Sequence, residues 1–178
     1  MLIDNSKFYR LLLRPVVVIT TISPKGITNA APFSFNTPIS FSPPLYGFAC
    51  NTEHDTWKNI KATKEFVVNI IENKLAEKLP ILEKDFPYEV NELEKAGLEE
   101  IESKKVKAKR MKDAIAWIEC KYEKHYKIGD HVFIVGHVVC TEVKDECFNE
   151  VIASKDLLGH LGGEFFFTNI EIRKYARG

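Results

Sequence analysis

Residues 14–60 read RPVVVITTISPKGITNAAPFSFNTPISFSPPLYGFACNTEHDTWKNI. From Asn5 through Thr52 there is no carboxylate. Between Arg14 and Thr52 the only charges are Arg14 and Lys25, in a chain whose charged fraction is 28%. Residues 16–22 are rich in β-branched side chains and short enough to predict a buried strand. Ser23-Pro24-Lys25-Gly26 follows the type I turn pattern, with Ser at i, Pro at i+1 and Gly at i+3. Residues 27–36 are therefore expected to return as the second strand of a hairpin. The centre of that return, Asn29-Ala30-Ala31-Pro32, is weak for a strand, since small residues pack poorly and proline cannot donate to a ladder. Two readings stay open: an edge or bulge, or close approach of a ligand to bare backbone.

Ser42-Pro43-Pro44 breaks the chain before an apolar strand at 45–50. The polar run Asn51-Thr52-Glu53-His54-Asp55-Thr56 then leads into a helix that Asp55 or Thr56 can cap and that reaches about Thr63. A helix start offers unpaired N–H groups and the positive dipole end, which suits an anion such as phosphate. Beside an apolar, carboxylate-free wall it suits a ligand with a flat ring at one end and an anion at the other. Ordinary capping after a strand accounts for the same residues.

Outward from this stretch, residues 4–13 predict a short helix ended by Arg14-Pro15. Residues 65–71 predict a strand, and Asn73 caps an expected helix to about Leu82. Residues 91–96 predict a short helix stopped by Gly97. Residues 83–102 hold eight acidic residues and two lysines, whereas 104–112 hold six basic residues and no acid. The blocks cancel and no aromatic residue interleaves the basic one, so a solvated loop face is expected rather than a nucleic-acid patch. Residues 114–126 and 131–143 predict the two long strands of one hairpin around the turn 127–130. Ser154 is expected to cap a helical segment to about Leu161, and residues 164–168 predict a last strand.

The 178 residues suggest one domain, and 45% hydrophobic content supports a core. Net charge is zero, so no bulk attraction to nucleic acid or to an anionic membrane is expected. No apolar run approaches the roughly 20 residues of a membrane span. The N-terminus MLIDNSKFYR has no basic region followed by an apolar stretch, and a cytoplasmic location is expected. Short strands, Gly/Pro turns and few peripheral helices predict a mainly β fold, an antiparallel barrel or sandwich.

Dinucleotide-binding G-x-G-x-x-G, P-loop and G-x-S-x-G motifs are absent. Cys50, Cys120, Cys140 and Cys147 show no C-x-x-C spacing and read as reduced thiols. His54, His125, His131, His137 and His160 form no close pair, so no metal site is expected. His131 stands out because it begins a strand after a Gly-Asp turn, at a barrel rim where ligands sit.

An ordered series of segments carries a resemblance across nearly the whole chain. It comprises RPVVVITT (14–21), NAAPFSFN (29–36), SPPL (42–45), NTEHDTWKNI (51–60), EFVVN (65–69), KAGL (95–98), AIAWIEC (114–120), GDHVFIVGHVV (129–139) and HLGGEFF (160–166). The chain resembles the flavin reductase-like, FMN-binding split-barrel family, which includes flavoredoxins and NAD(P)H:flavin oxidoreductases. The resemblance implies one antiparallel split β-barrel over residues 1–178, Greek-key-like, with bound FMN, NAD(P)H as co-substrate, and a homodimer. It implies that the isoalloxazine ring lies against Asn29, Ala30, Ala31, Pro32, Phe33, Ser34 and Asn36. The phosphate is then expected at Cys50, Asn51, Thr52, His54, Asp55, Thr56 and Lys58. His131 matches a histidine near flavin and nicotinamide, and is the expected catalytic residue. Gly163 and Phe166 match a C-terminal segment that approaches the flavin.

Two departures stand out. Much of the family has Lys-Asp-Thr where this chain has His54-Asp55-Thr56, which shifts the expected phosphate charge to Lys58. Tyrosine is common near Phe166, so a hydroxyl is missing there. The implied chemistry is hydride transfer from NAD(P)H to flavin N5, with electrons passed on to free flavin, a metal complex or a protein. Two other activities fit the same fold: an FMN electron carrier with little NAD(P)H turnover, and a ligand-binding split barrel with no redox role.

Overall fold

The β-branched run forms the expected strand, Val17–Ile22 (β1), and all six of its residues are buried. The computed structural model describes residues 1–174. The turn after β1 closes as expected, with the Gly26 N–H donating to Ser23 O at 2.9 Å and Gly26 at φ +83°. Thr28–Phe33 (β2) returns antiparallel to β1, pairing Val17 with Phe33 and Ile22 with Thr28.

After Phe33 the chain does not leave the sheet. Ser34 and Phe35 turn it into a strand that the sequence reading missed, Asn36–Phe41 (β3). β3 pairs with Pro44–Asn51 (β4). The helix Asp55–Thr63 (α1) and the strand Glu65–Ile70 (β5) follow. Further on come two short helices, Leu79–Leu82 (α2) and Glu92–Ala96 (α3), and the long hairpin Ala116–Ile128 (β6) and His131–Val143 (β7). The order across the sheet is β2-β1-β5-β6-β7-β4-β3, and all its pairings are antiparallel. The two edge strands, β2 and β3, are joined by only two residues, so the sheet curls until its edges meet at Ser34-Phe35. The Ala49 N–H donates to Phe35 O at 2.8 Å at that seam. This is the antiparallel barrel expected from the sequence, split along β2 and β3, which remain the edges of the sheet.

Alternation along the strands sorts the core into two sets. Val17, Ile19, Phe33, Phe48, Phe66 and Ile134 fill the barrel with Trp57 and Ile60 of α1. Phe33, Phe48 and Phe66 meet edge to face, at centroid distances of 5.0 and 5.3 Å. Val16, Val18, Ala30 and Val67 point the other way, against Leu79, Leu82, Leu93 and Ala96 of the segment that covers the outer face.

Three local expectations are corrected. Residues 5–11 form a 3-10 helix capped by Asp4, and none of them is buried. The segment from Asn73 begins as a 3-10 helix, Asn73–Lys78, with Glu72 rather than Asn73 before it. Ser154 starts no helix: its hydroxyl donates to Glu72 Oε1 at 2.6 Å, and Gly159–Gly162 forms a strand against Arg14–Pro15. A Cβ on Gly159 would sit 1.9 Å from the Phe167 ring, so only glycine fits there. Finally, the acidic and basic blocks form the expected solvated face, but one that carries a two-residue ladder and ion pairs. Glu100–Ile101 pairs with Arg110–Met111, Lys109 pairs with Glu102, and Lys112 pairs with Glu99 at 2.5 Å.

Candidate functional site

Asn29, Ala31, Pro32 and Phe33 of β2 and His54, Asp55, Thr56 and Lys58 of α1 line one cleft of about 730 Å³. Two sequence segments, each singled out on its own chemistry, thus face the same space. The N-cap of α1 is His54, not Asp55 or Thr56, and no side chain caps the helix. The Asp55 carboxylate instead accepts from Lys58 Nζ at 2.9 Å, and the Thr56 hydroxyl donates to Asn29 Oδ1 at 3.0 Å. The Trp57 and Lys58 N–H groups donate to His54 O at 3.1 and 3.2 Å, which leaves the amides of Asp55 and Thr56 for an external acceptor.

Thr56 belongs to a buried chain of directed hydrogen bonds. Tyr88 OH donates to Asn59 Oδ1 at 2.6 Å, Asn59 Nδ2 to Thr21 Oγ1 at 3.0 Å, and the Thr21 hydroxyl to Asn29 Oδ1 at 3.1 Å. Asn29 Nδ2 then donates to Glu92 Oε1, and the Ala30 N–H to Glu92 Oε2, both at 3.0 Å. Burial raises the Glu92 pKa, while the bonds from Ala30 and Asn29 oppose the rise.

This network corrects two expectations. The wall is carboxylate-free along the sequence but not in space, because Glu83, Asp85 and Glu92 arrive from the 79–92 segment and line the cleft with Glu53 and Asp55. The backbone at Ala30 is not bare, since Glu92 occupies its N–H. Tyr88, Phe86 and Glu92 also line the cleft, and sequence reasoning missed all three. No spacing pattern pointed to them, since they lie on a separate segment that docks only in the fold.

The remaining expected residues fall into two groups around the cleft. Asn51 and Thr52 do not line the cleft; they precede Glu53, which does, and Asn51 Oδ1 accepts the Glu53 N–H at 3.0 Å. Asn51 lies opposite His131 in the β4–β7 register. His131 Nδ1 is 2.7 Å from Asp130 Oδ1, and its ring is 6.0 Å from that of Phe35. His131 is thus at the rim, as expected, but does not line the cleft. Cys50 turns its side chain into the core, where burial pushes its thiol up to about 12. Ala30 is fully buried. The Asn36 amide is spent within the fold: its Oδ1 accepts from Tyr46 OH at 2.6 Å, and its Nδ2 donates to Pro15 O and Phe33 O.

Ser34 and Gly163 meet through His160. His160 Nε2 lies 3.0 Å from Gly163 O, and its Nδ1 lies 3.1 Å from Ser34 Oγ. A carbonyl only accepts, so Nε2 carries the proton. In the neutral ring Nδ1 then accepts from the Ser34 hydroxyl. Phe166 stacks on His160, with centroids 4.8 Å apart and planes at 27°, which gives the ring without a hydroxyl a packing role. Among the described residues no group of three or more His, Cys, Asp or Glu side chains could hold a metal ion. No helix among them is long and apolar enough to cross a membrane.

Residues 9–165 match the family model described as the flavin reductase like domain. The chain belongs to that family. Its relatives include a protein of Aquifex aeolicus, 38% identical over 177 residues that cover 92% of this chain and 90% of that one. A flavin reductase of Pseudomonas putida is 24% identical over 135 residues, 74% of each chain. Among solved structures, a 2-nitrobenzoate 2-nitroreductase of Pseudomonas fluorescens superposes with a TM-score of 0.85 at 26% identity, covering 99% of this chain and 93% of that one. The flavoredoxin of Desulfovibrio vulgaris, at 14% identity and a TM-score of 0.83, covers 92% and 91% and shares the split-barrel fold. Within the flavin reductase-like family, the donor set here fits a flavin mononucleotide. An uncapped helix start faces the cleft, and β2 beside it carries no charge from Thr28 to Phe33.

Proposed function

We propose that the protein is an FMN-dependent oxidoreductase that takes hydride from NAD(P)H and passes electrons to free flavin, a metal complex or a protein. The observation that carries this reading is the convergence of the uncapped start of α1 and the strand Asn29–Phe33 on one cleft. Bound FMN would supply the redox chemistry, accepting hydride at N5. The protein's part is placement and electrostatics. The amides of Asp55 and Thr56 hold the phosphate end through the helix dipole, since Lys58 is already engaged by Asp55. Ala31, Pro32 and Phe33 support the ring with uncharged side chains. Asn29 is locked by Thr21, Thr56 and Glu92, so the wall is preorganised.

His131 keeps Nδ1–H on Asp130, which presents Nε2 as an acceptor at the rim. In this reading it orients the nicotinamide. His131→Ala is expected to slow flavin reduction in stopped-flow mixing with NAD(P)H and to leave FMN bound. Loss of FMN from that variant would remove the assigned role.

The reading extends to a homodimer. A second, apolar cleft of about 350 Å³ is lined by Leu13, Val16, Ile71, Leu158, Phe167 and Ile170, among others. Phe8, Leu11, Leu12 and Leu13 are exposed nearby in sequence, apolar side chains that a second subunit would cover. Sedimentation equilibrium tests this, with a two-fold mass expected. A pure electron-carrier role is the second reading, with the acidic and basic blocks at 83–112 as its candidate docking charges; within them Glu102 pairs with Lys109 and Glu99 with Lys112.

A further inference from the structure

Arg14 is 9% exposed, yet no carboxylate pairs with it among the described residues. Its Nη1 donates to Ser34 Oγ at 3.4 Å, a long bond. Nε and Nη2 are buried and have no hydrogen-bond partner among the described residues. The guanidinium lies over two aromatic faces, 5.4 Å from the Tyr9 centroid and 5.1 Å from that of Phe35. These contacts favour a cation but neutralise nothing. Burial pulls the Arg14 pKa downward, and only Tyr9 acts electrostatically against that. The group nevertheless stays charged, because a guanidinium does not deprotonate in proteins.

An uncompensated charge held in a dry wall is costly, and its field carries further than in water. Its position gives that field a target. Arg14 touches Ser34, the residue after the cleft-lining Phe33. Phe35 contacts both the guanidinium, at 5.1 Å, and the His131 ring, at 6.0 Å between centroids. Ser34 is held by His160, so the one hydrogen bond of Arg14 is anchored to a fixed chain that ends at Gly163 O.

This inference rests on the flavin reading given above. We propose that Arg14 is an electrostatic positioning residue that favours the reduced, anionic form of the bound flavin over the oxidised form. Two-electron reduction with uptake of one proton converts neutral oxidised isoalloxazine into a ring with net charge −1. A fixed cation beside the ring strand stabilises that product and leaves the oxidised ring almost unaffected. Any carboxylate paired with Arg14 would cancel the effect, and none pairs with it among the described residues.

The test is the midpoint potential of FMN bound to wild-type, Arg14→Met and Arg14→Lys protein, measured by dye equilibration, with the Kd for oxidised FMN measured in parallel. Arg14→Met is expected to bind oxidised FMN as wild type does and reduced FMN about tenfold more weakly, a fall of about 30 mV in midpoint. Arg14→Lys keeps the charge and is expected to stay near wild type. An unchanged midpoint in Arg14→Met overturns the proposal. If that variant does not fold, Arg14→Gln, which also removes the charge, is measured in its place, with the same fall expected and an unchanged midpoint overturning the proposal. Failure of the wild-type protein to take up FMN at all would instead sink the flavin reading on which the proposal stands.

Discussion

The carboxylate of Glu92 accepts the backbone N–H of Ala30 at 3.0 Å, across 62 residues of chain. The same carboxylate takes Asn29 Nδ2 at 3.0 Å. β2 is an edge of the sheet, and Pro32 has no N–H to offer a neighbour. Glu92 therefore does at this edge what a further strand would do elsewhere, and it aims Asn29 into the cleft. Glu92→Gln puts a donor where one of two acceptors is required. A loss of about 1–3 kcal/mol is expected, read as a lower urea midpoint at unchanged slope.

The same residue predicts a pH dependence. Burial holds the Glu92 pKa above its ordinary value of 4.5. The folded state thus binds the proton more tightly than the unfolded chain does. That contribution to stability is complete below the unfolded pKa and is lost as pH rises through the folded one. The stability of wild type relative to Glu92→Gln should therefore fall as pH rises from about 4.5, then level off. Urea titrations of both proteins across this range check it, and a difference that grows with pH would contradict it.

Gly136 of β7 is fixed by packing. A Cβ there would lie 2.5 Å from the Phe66 ring and 3.0 Å from Cys120 Cβ. Gly136→Ala should cost about 1–3 kcal/mol through overpacking, seen as a lower Tm.

Arg110 and Glu119 form a buried ion pair at 2.6 Å, with Glu142 on the outer side at 2.6 Å. Glu119 is fully buried and also accepts the N–H groups of Lys104 and Lys105. Arg110→Met leaves this carboxylate without its counter-charge, at an expected cost of about 3–5 kcal/mol. Neither residue lines the cleft, so FMN affinity at temperatures below unfolding should be unchanged.

The cysteines should separate by burial. Cys50 is pushed up to about 12, and burial also raises Cys120. Alkylation of the native protein followed by mass mapping should label the half-buried Cys140 and Cys147 before either of them.

How much of this was legible in the sequence depended on whether the signal was local. The strands at 17–22, 65–70 and 131–143 were legible, because β-branched runs and glycine turns act over a few residues. β3 was not, because Asn36–Phe41 contains Pro38 and lies mostly exposed on an edge, Ile39 and Phe41 included, where no alternation is imposed. The strand at 159–162 was hidden for a different reason: its partner is Arg14-Pro15, at the far end of the chain. In the site, the helix start and the weak strand could be read from residue chemistry alone. Glu92 could not, since nothing near it marks a contact with Ala30. Arg14 had a signal that went unused: it is one of only two charges between Arg14 and Thr52, and a charge that isolated needs a reason.

The most direct test of the account is titration of the purified, ligand-free protein with FMN, followed by quenching of flavin fluorescence and by the shift of the visible band. The account predicts saturable one-to-one binding in the micromolar range or tighter, weakened by competing inorganic phosphate. No uptake of FMN at any attainable concentration would contradict it.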